Sequence, residues 1–249
     1  MKLALSAALL ALAAPLAAHA QTVPAPITAA LGDASRPQAD KDRDASRHAG
    51  EILAFAGIAP GQEVADFIMG GGYWTRILAG IVGPGGKVYA YQPAEFIQFR
   101  AAYADEQKAA VEGRANVVAS SDSLKSFAFP EPLDAIMTVQ NWHDLHLKAA
   151  PPGAAKAIAK KLYDSLKPGG VLLVIDHAAN PDPDFALPQT LHRIDPAAAR
   201  AEIESVGFKF DGELPLLRNA ADPHTANVFT PEIRGKTDQF IYRFRKPRG

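Results

Sequence analysis

The 249-residue sequence contains no cysteine, and this absence limits its structural and catalytic chemistry. Disulfide bonds, thiolate nucleophiles and cysteine-ligated zinc are excluded, so any metal ion would need histidine, carboxylate or amide ligands. An excess of one charge is also lacking, because 26 basic residues face 27 acidic ones and the formal net charge is -1. Without a basic surface, non-specific nucleic-acid binding is not expected.

Beyond its N-terminus, the sequence has no apolar run long enough to cross a bilayer. At the N-terminus, Lys2 precedes an apolar run over residues 3–16, which ends in an Ala-His-Ala motif at 18–20. This arrangement is typical of a secretory signal peptide, and the run is shorter than the ~20 residues of a spanning helix. We therefore predict cleavage after Ala20 and a periplasmic or secreted mature protein that has no membrane association.

The rest of the chain divides into a short leader and one domain. Residues 21–44 are rich in proline and charge, which predicts an extended leader lying over the surface. Residues 45–249 show no internal repeat or composition break, and 48% of the whole sequence is hydrophobic, enough for a substantial core. We predict a single domain over 45–249.

Strands and helices alternate through most of this domain. Helices are expected at 45–57, 73–82, 94–112, 153–166 and 195–205, and strands at 63–68, 87–91, 116–119, 133–139, 171–176, 208–217 and 239–245. Such alternation is typical of a parallel sheet covered on both faces. No helix separates the last two strands, which predicts an antiparallel edge pair. The predicted fold is α/β, a Rossmann-like, seven-stranded, mostly parallel sheet.

Ligands of such sheets bind at the carboxyl ends of the strands, near the point where strand order reverses. The first predicted strand contains Asp66 and runs into three consecutive glycines, followed by a helix that begins at Tyr73. Glycines let a ligand approach the backbone, and the helix N-terminus offers free N–H groups. An ordinary flexible turn is the alternative interpretation.

The segment VADFIMGGGYWTRILA, followed by GPGGKVYAYQPAE, resembles the first two strands of class I S-adenosylmethionine-dependent methyltransferases. The resemblance covers roughly residues 45–247 and includes QNWHDLH, LKPGGVLLVIDH, RIDPAAARAEIESVGF and FIYRFRKP. More narrowly, the chain is similar to a group of secreted bacterial predicted methyltransferases. The resemblance implies S-adenosylmethionine as the cofactor and methyl transfer to a small molecule.

The resemblance also implies which residues bind the cofactor. Asp66, Gly70 and Gly72 match the acidic residue and the last two glycines of the family's D-x-G-x-G-x-G loop, while Ile68 stands at the position of its first glycine. A branched side chain there would fill space beside the methionine part of the cofactor.

Three further positions correspond to the family's ribose and adenine contacts. Gln92 stands where the second strand ends in an acid that accepts both ribose hydroxyls, and a neutral amide binds them more weakly than a carboxylate. Glu95 is the alternative source of a carboxylate. Asp122 matches the residue that reaches the adenine amino group, although a turn or cap residue explains it equally well.

A polar cluster follows the fourth predicted strand, where the family meets its methyl acceptor. His143 is a candidate general base whose tautomer a neighbour such as Asp144 would fix. Asn141 is a candidate for orienting the acceptor, and Trp142 or Tyr73 for stacking on it or contacting the sulfonium. The alternative is that Asn141 and His143 brace the loop and that Trp142 belongs to the core.

His177 ends the fifth predicted strand, and the polar, proline-rich loop that follows it suits an acceptor-binding lid. With Asp176, His143 and Asp144 it would form one rim. Such a rim could ligate a divalent metal, but no short spacing motif supports this, so no metal is predicted. Two other functions stay open: a binding protein that uses this fold for another ligand, and a metal-assisted hydrolase.

Overall fold

The computed structural model describes residues 22–249. The predicted signal peptide at residues 1–20 lies outside the described residues, as does Gln21. Within the described part, no helix combines the length and apolar character that crossing a membrane requires.

The described chain forms a seven-stranded sheet in the order β3-β2-β1-β4-β5-β7-β6. Its strands are β1 Glu63–Phe67, β2 Lys87–Tyr91, β3 Val117–Ser120, β4 Leu133–Val139, β5 Leu166–His177, β6 Lys209–Glu213 and β7 Gln239–Arg245. Strands β1 to β5 are parallel, and β7 is antiparallel to both β5 and β6. The predicted fold class, including its antiparallel edge pair, is confirmed.

Alternate residues of β5 explain why this strand is almost continuously apolar. Leu172 and Val174 belong to one hydrophobic cluster, while Leu173 and Ile175 belong to another. Successive side chains of a strand point to opposite faces, so both faces of β5 are covered.

Nine α-helices surround the sheet in the described residues. They are α1 Ala25–Leu31, α2 Gln38–Lys41, α3 Ala49–Ala56, α4 Tyr73–Val82, α5 Ala94–Phe99, α6 Ala102–Val111, α7 Ala154–Ser165, α8 Pro188–Leu191 and α9 Pro196–Glu204. The buried hydrophobic residues of α1, α3 and α4 belong to the cluster of Leu173, and those of α7 and α9 to the cluster of Leu172. Asp195 caps α9 by accepting a hydrogen bond from the Ala197 N–H, as its Asp-Pro start predicts.

The prediction of an extended leader at residues 21–44 was wrong for the part that the structure describes. Residues 22–44 contain α1 and α2, and Ile27 of α1 is fully buried. Helix α1 packs closely on α4, because a Cβ added to Gly80 would lie 2.9 Å from the Ala30 Cβ. A helix of only seven residues gains its stability from packing on α4, which a local sequence pattern does not reveal.

Candidate functional site

The candidate site lies at the carboxyl ends of β1 and β4, where the strand order reverses. Strands β2 and β4 flank β1 on opposite sides. The helix after β1 covers one face of the sheet, and the helix after β4 covers the other. In doubly wound sheets the loops leaving two such strands diverge, and the crevice between them is where ligands bind.

The turn after β1 has the backbone conformation that its glycines predict. Gly70 and Gly72 have φ angles of 55° and 77°. At Gly72 a Cβ would lie 2.4 Å from the Ala110 Cβ, so only glycine fits between the turn and α6. At Gly70 no described heavy atom lies within 4 Å of a built Cβ, so the backbone here borders open space.

Ile68 adopts a left-handed conformation, with φ 63°, at the position where the resemblance places a glycine. Such a conformation costs an L-residue about 1–2 kcal/mol, and it is a genuine outlier for a β-branched side chain. Gln140, at the corresponding end of β4, also has a positive φ of 60°. Strained residues at the ends of both strands are typical of functional sites, where the surrounding structure enforces them.

Asp66 lies beneath the glycine turn. Its carboxylate accepts a 2.6 Å hydrogen bond from the Thr75 hydroxyl of α4. Complete burial raises the pKa of Asp66 to about 6, although the hydrogen bonds from Thr75 act in the opposite direction. This hydrogen bond joins the end of β1 to the start of α4 and so stabilises the glycine turn between them.

Gln92 contacts the glycine turn directly. Its side-chain oxygen accepts a 2.9 Å hydrogen bond from the Gly70 N–H. Its Nε2 group is buried and has no hydrogen-bond partner among residues 22–249. A buried donor without a partner costs about 1–3 kcal/mol and calls for an explanation such as a ligand.

Glu95 and Asp122 lie on neighbouring segments, but Glu95 does not replace Gln92. The Glu95 carboxylate accepts hydrogen bonds from the Ser123 hydroxyl and the Leu124 N–H, which join α5 to the loop after β3. Asp122 has an exposed side chain, while its backbone oxygen accepts a 2.9 Å hydrogen bond from the Tyr91 hydroxyl. The Glu95 carboxylate therefore faces the loop that contains Asp122.

His143 is held between two carboxylates. Asp176 accepts hydrogen bonds from both the backbone N–H and the ring Nδ1 of His143, each at 2.8 Å, and Asp144 Oδ1 lies 3.3 Å from Nε2. Burial alone would lower the pKa of His143, but Asp176 and Asp144 together raise it to about 10. The two carboxylates thus favour the protonated ring, and in that form His143 has no free lone pair to act as a general base.

The carboxylate that orients the His143 ring belongs to Asp176. Asp144 was the expected partner for fixing the tautomer, whereas Asp176 occupies the Nδ1 side and Asp144 the Nε2 side. Asp176 is itself fully buried at the end of β5. Its pairing with His143 depends on how β4 and β5 align.

Asn141 braces the two strand ends, as the alternative interpretation proposed. Its side-chain amide donates to the carbonyl oxygens of Ile68 and Val139, at 2.9 and 2.7 Å. These bonds join the end of β1 to the end of β4 across the crevice. Asn141 thus stabilises the backbone that surrounds the site.

Trp142 is not placed to stack on an acceptor. The indole is fully buried in the hydrophobic core, and its N–H donates to the Glu202 carboxylate at 3.4 Å. The proposed substrate contact of Trp142 was wrong because its side chain points into the core between the loop and α9.

Tyr73 is also occupied by the protein itself. Its hydroxyl donates to Asp44 at 2.7 Å, and the Arg47 guanidinium lies 4.6 Å from its ring centroid. Only 4% of Tyr73 is exposed. Its proposed substrate contact was therefore wrong, because the N-terminal segment covers the ring.

His177 and His192 complete the rim around His143. The His177 ring lies 6.1 Å from the His143 ring and forms a 2.7 Å hydrogen bond with Thr237 through Nδ1. Burial lowers the pKa of His177 to about 4, so this ring is neutral. The His192 ring lies 5.5 Å from that of His143, and its Nδ1 lies 3.8 Å from Asp144 Oδ1. Sequence reasoning missed His192, because no short motif links it to position 143.

No protein-family model matches the sequence, and no curated protein matches it significantly. Solved structures with a similar fold include a SAM-dependent methyltransferase from Aquifex aeolicus, at 17% identity and a TM-score of 0.56 over 84% of this chain and 95% of that one. The cyclase SpnF has 17% identity and a TM-score of 0.59 over 90% and 92% of the two chains. A possible exported protein from Bordetella parapertussis has 16% identity and a TM-score of 0.51 over 83% and 68%. These similarities establish the Rossmann-like fold of class I methyltransferases.

Proposed function

We propose that this protein transfers a methyl group from S-adenosylmethionine to a small molecule. The observation that carries the proposal is the turn after β1, where the open backbone at Gly70 adjoins the unpaired Gln92 donor at the strand-order reversal. Ligand sites of doubly wound sheets occupy this place.

The residues around the turn fit this cofactor. Gly70 leaves room for a ligand against the backbone, and the Gln92 Nε2 group supplies a donor for a ribose hydroxyl. Asp122, with its exposed carboxylate after β3, is a candidate acceptor for the adenine amino group. When bound, S-adenosylmethionine supplies an electrophilic methyl group.

The acceptor would bind at the ends of β4 and β5, beside the His143 rim. Asp144 and His192 are partly exposed there, so they are available to a polar acceptor. Holding donor and acceptor in line accounts for a large part of the barrier reduction in such bimolecular reactions. In this proposal Asn141 is a positioning residue, because it holds the strand ends on either side of the crevice.

Gln92 favours a second candidate function, in which the crevice binds another ligand without methyl transfer, because it presents an amide where a carboxylate is expected. Ile68 stands at the position of the family's first glycine, but its side chain packs in the hydrophobic core. SpnF, a cyclase by name, has a similar fold, and a fold alone does not decide chemistry.

We also propose that the mature protein begins at Gln21 and works in the periplasm or outside the cell. The support is the signal-peptide pattern of residues 1–20. Export implies that the cofactor must be available outside the cytoplasm, which makes cofactor binding the first property to measure.

Isothermal titration of the mature chain with S-adenosylmethionine, and separately with S-adenosylhomocysteine, tests the cofactor. We expect micromolar binding of both. No heat change up to millimolar ligand would refute methyl transfer and favour the second candidate.

A matched pair of glycine variants tests where the cofactor binds. Gly70→Ala places a methyl group in the proposed cofactor space, and we expect it to reduce affinity about tenfold or more. Gly57→Ala is the control, since Gly57 also has a positive φ and open space around its Cβ but lies at the end of α3. Equal effects of the two variants would contradict the proposed location.

A further inference from the structure

Three side chains at the rim of the crevice converge in a way that methyl transfer does not explain. His143 Nε2 lies 3.3 Å from Asp144 Oδ1, and His192 Nδ1 lies 3.8 Å from the same oxygen. All three ligand atoms lie within 4.8 Å of one another. Ligand atoms at about 2.0–2.1 Å from a tetrahedral ion are separated by roughly 3.3 Å, so only a small movement of His192 is needed.

We propose that His143, Asp144 and His192 bind one divalent first-row transition metal ion, with Zn²⁺ as the representative ion. Two imidazole nitrogens and one carboxylate oxygen suit zinc, cobalt, nickel or iron. Magnesium and calcium prefer a set made of oxygen ligands. The inference does not depend on methyl transfer.

The surroundings of His143 are those of a metal ligand held by a second residue. Asp176 accepts from Nδ1 and also from the backbone N–H, which fixes both the ring and the loop. Nε2 is thereby directed toward Asp144. Metal-bound histidines commonly donate their other ring N–H to a carboxylate in this way. A metal ion at Nε2 takes the place of a proton on that nitrogen, so its binding releases protons.

His192 reaches the cluster from a separate part of the chain. It ends α8 in a left-handed conformation, with φ 51°, and its ring packs edge-on against Phe229 at 5.0 Å. The backbone of Leu191 accepts a hydrogen bond from the Val228 N–H. The loop that contains Val228 and Phe229 therefore holds His192 opposite the other two ligands.

The site leaves room for a further ligand. The His143 side chain is 5% exposed, but those of Asp144 and His192 are 18% and 29% exposed. Three protein ligands with one side open to solvent is the arrangement of zinc sites that bind water or substrate. The metal would thus lie where the proposed acceptor binds and could coordinate a polar atom of it.

Titration of the untagged, metal-free mature protein with Zn²⁺ and with Co²⁺ tests the site. We expect one ion per chain, a rise in melting temperature, and a visible absorption band for Co²⁺ that Zn²⁺ removes. Mg²⁺ at the same concentration should neither bind nor raise the melting temperature. Failure of both Zn²⁺ and Co²⁺ to bind up to millimolar concentration would overturn the inference, whatever the outcome with S-adenosylmethionine.

Variants locate the ion. His192→Asn preserves the left-handed conformation, which asparagine tolerates, and should weaken Zn²⁺ binding about 100-fold or more. Asp176→Asn should weaken it about 10- to 100-fold, as outer carboxylates do. His224→Asn is the control, because His224 also has a positive φ and is paired with a carboxylate, at 2.9 Å from Asp238, but lies outside the cluster. If His224→Asn reduces binding as much as His192→Asn does, the ion lies elsewhere.

Discussion

Replacing Asp66 with asparagine should stabilise the protein at neutral pH. The Asp66 side chain is fully enclosed beneath the glycine turn, and burial raises its pKa from 3.8 to about 6. The folded state binds the proton of the Asp66 carboxyl more tightly than the unfolded state does. The contribution of this proton to stability is therefore complete below about pH 4 and is lost as the pH rises through about 6. The asparagine side chain would be neutral at every pH and would still accept the hydrogen bond from Thr75.

The expected size follows from the pKa difference. A shift of about two units corresponds to about 3 kcal/mol, at roughly 1.4 kcal/mol per unit. Asp66→Asn should therefore be up to about 3 kcal/mol more stable than the unmodified protein at pH 7, with the difference shrinking toward zero at pH 4. Urea denaturation at several pH values between 4 and 7 measures it, since other titrating groups cancel in the difference.

Asp44→Asn provides a control of opposite sign. Burial raises the pKa of Asp44, but the hydrogen bonds from Arg36 and Tyr73 outweigh it and lower that pKa below the usual value. This variant should be less stable at pH 7, and its deficit should fall as pH decreases through the folded pKa of Asp44. A stability difference for Asp66→Asn that is negative, or that does not change with pH, would refute the reasoning.

Three further substitutions separate structural from ligand-binding roles. Tyr73→Phe removes the hydrogen bond to Asp44 and should reduce the free energy of unfolding by about 1 kcal/mol. The affinity for S-adenosylmethionine should be unchanged, and a loss of affinity would show that Tyr73 contributes to the ligand site. Trp142→Phe should cost about 1–3 kcal/mol by the same assay and likewise spare binding, because the indole is in the core. Gln92→Glu still accepts from Gly70 and presents a carboxylate, so calorimetry should show tighter S-adenosylmethionine binding in a methyltransferase, whereas no gain would favour a different ligand.

Local patterns in the sequence predict most of the sheet. The unbroken apolar run of β5, the glycines after β1 and the Asp-Pro start of α9 each reflect a constraint that acts within a few residues. Buried parallel strands need apolar side chains on both faces, and turns need residues that tolerate positive φ. These constraints were sufficient to predict the strands and the glycine turn, whereas the order of the strands is visible only in the folded structure.

The N-terminal segment shows where such patterns fail. Residues 22–44 are polar and rich in proline, yet Ile27 is buried against the core and Asp44 accepts the Tyr73 hydroxyl. Ion pairs such as the one between Asp40 and Arg76 of α4 hold the segment in place. The residues that these side chains contact are distant in sequence, so a short stretch of sequence does not reveal the contacts.

By itself, the sequence determined the fold class and the neighbourhood of the site, because hydrophobic periodicity and turn chemistry are local properties of the chain. Tertiary structure alone decided which way each side chain at the strand ends points. It sent Trp142 into the core, paired His143 with Asp176 and brought His192 to Asp144 from a distant segment. Those outcomes depend on the alignment of β4 with β5 and on the packing of long loops, which arise only when the whole chain folds.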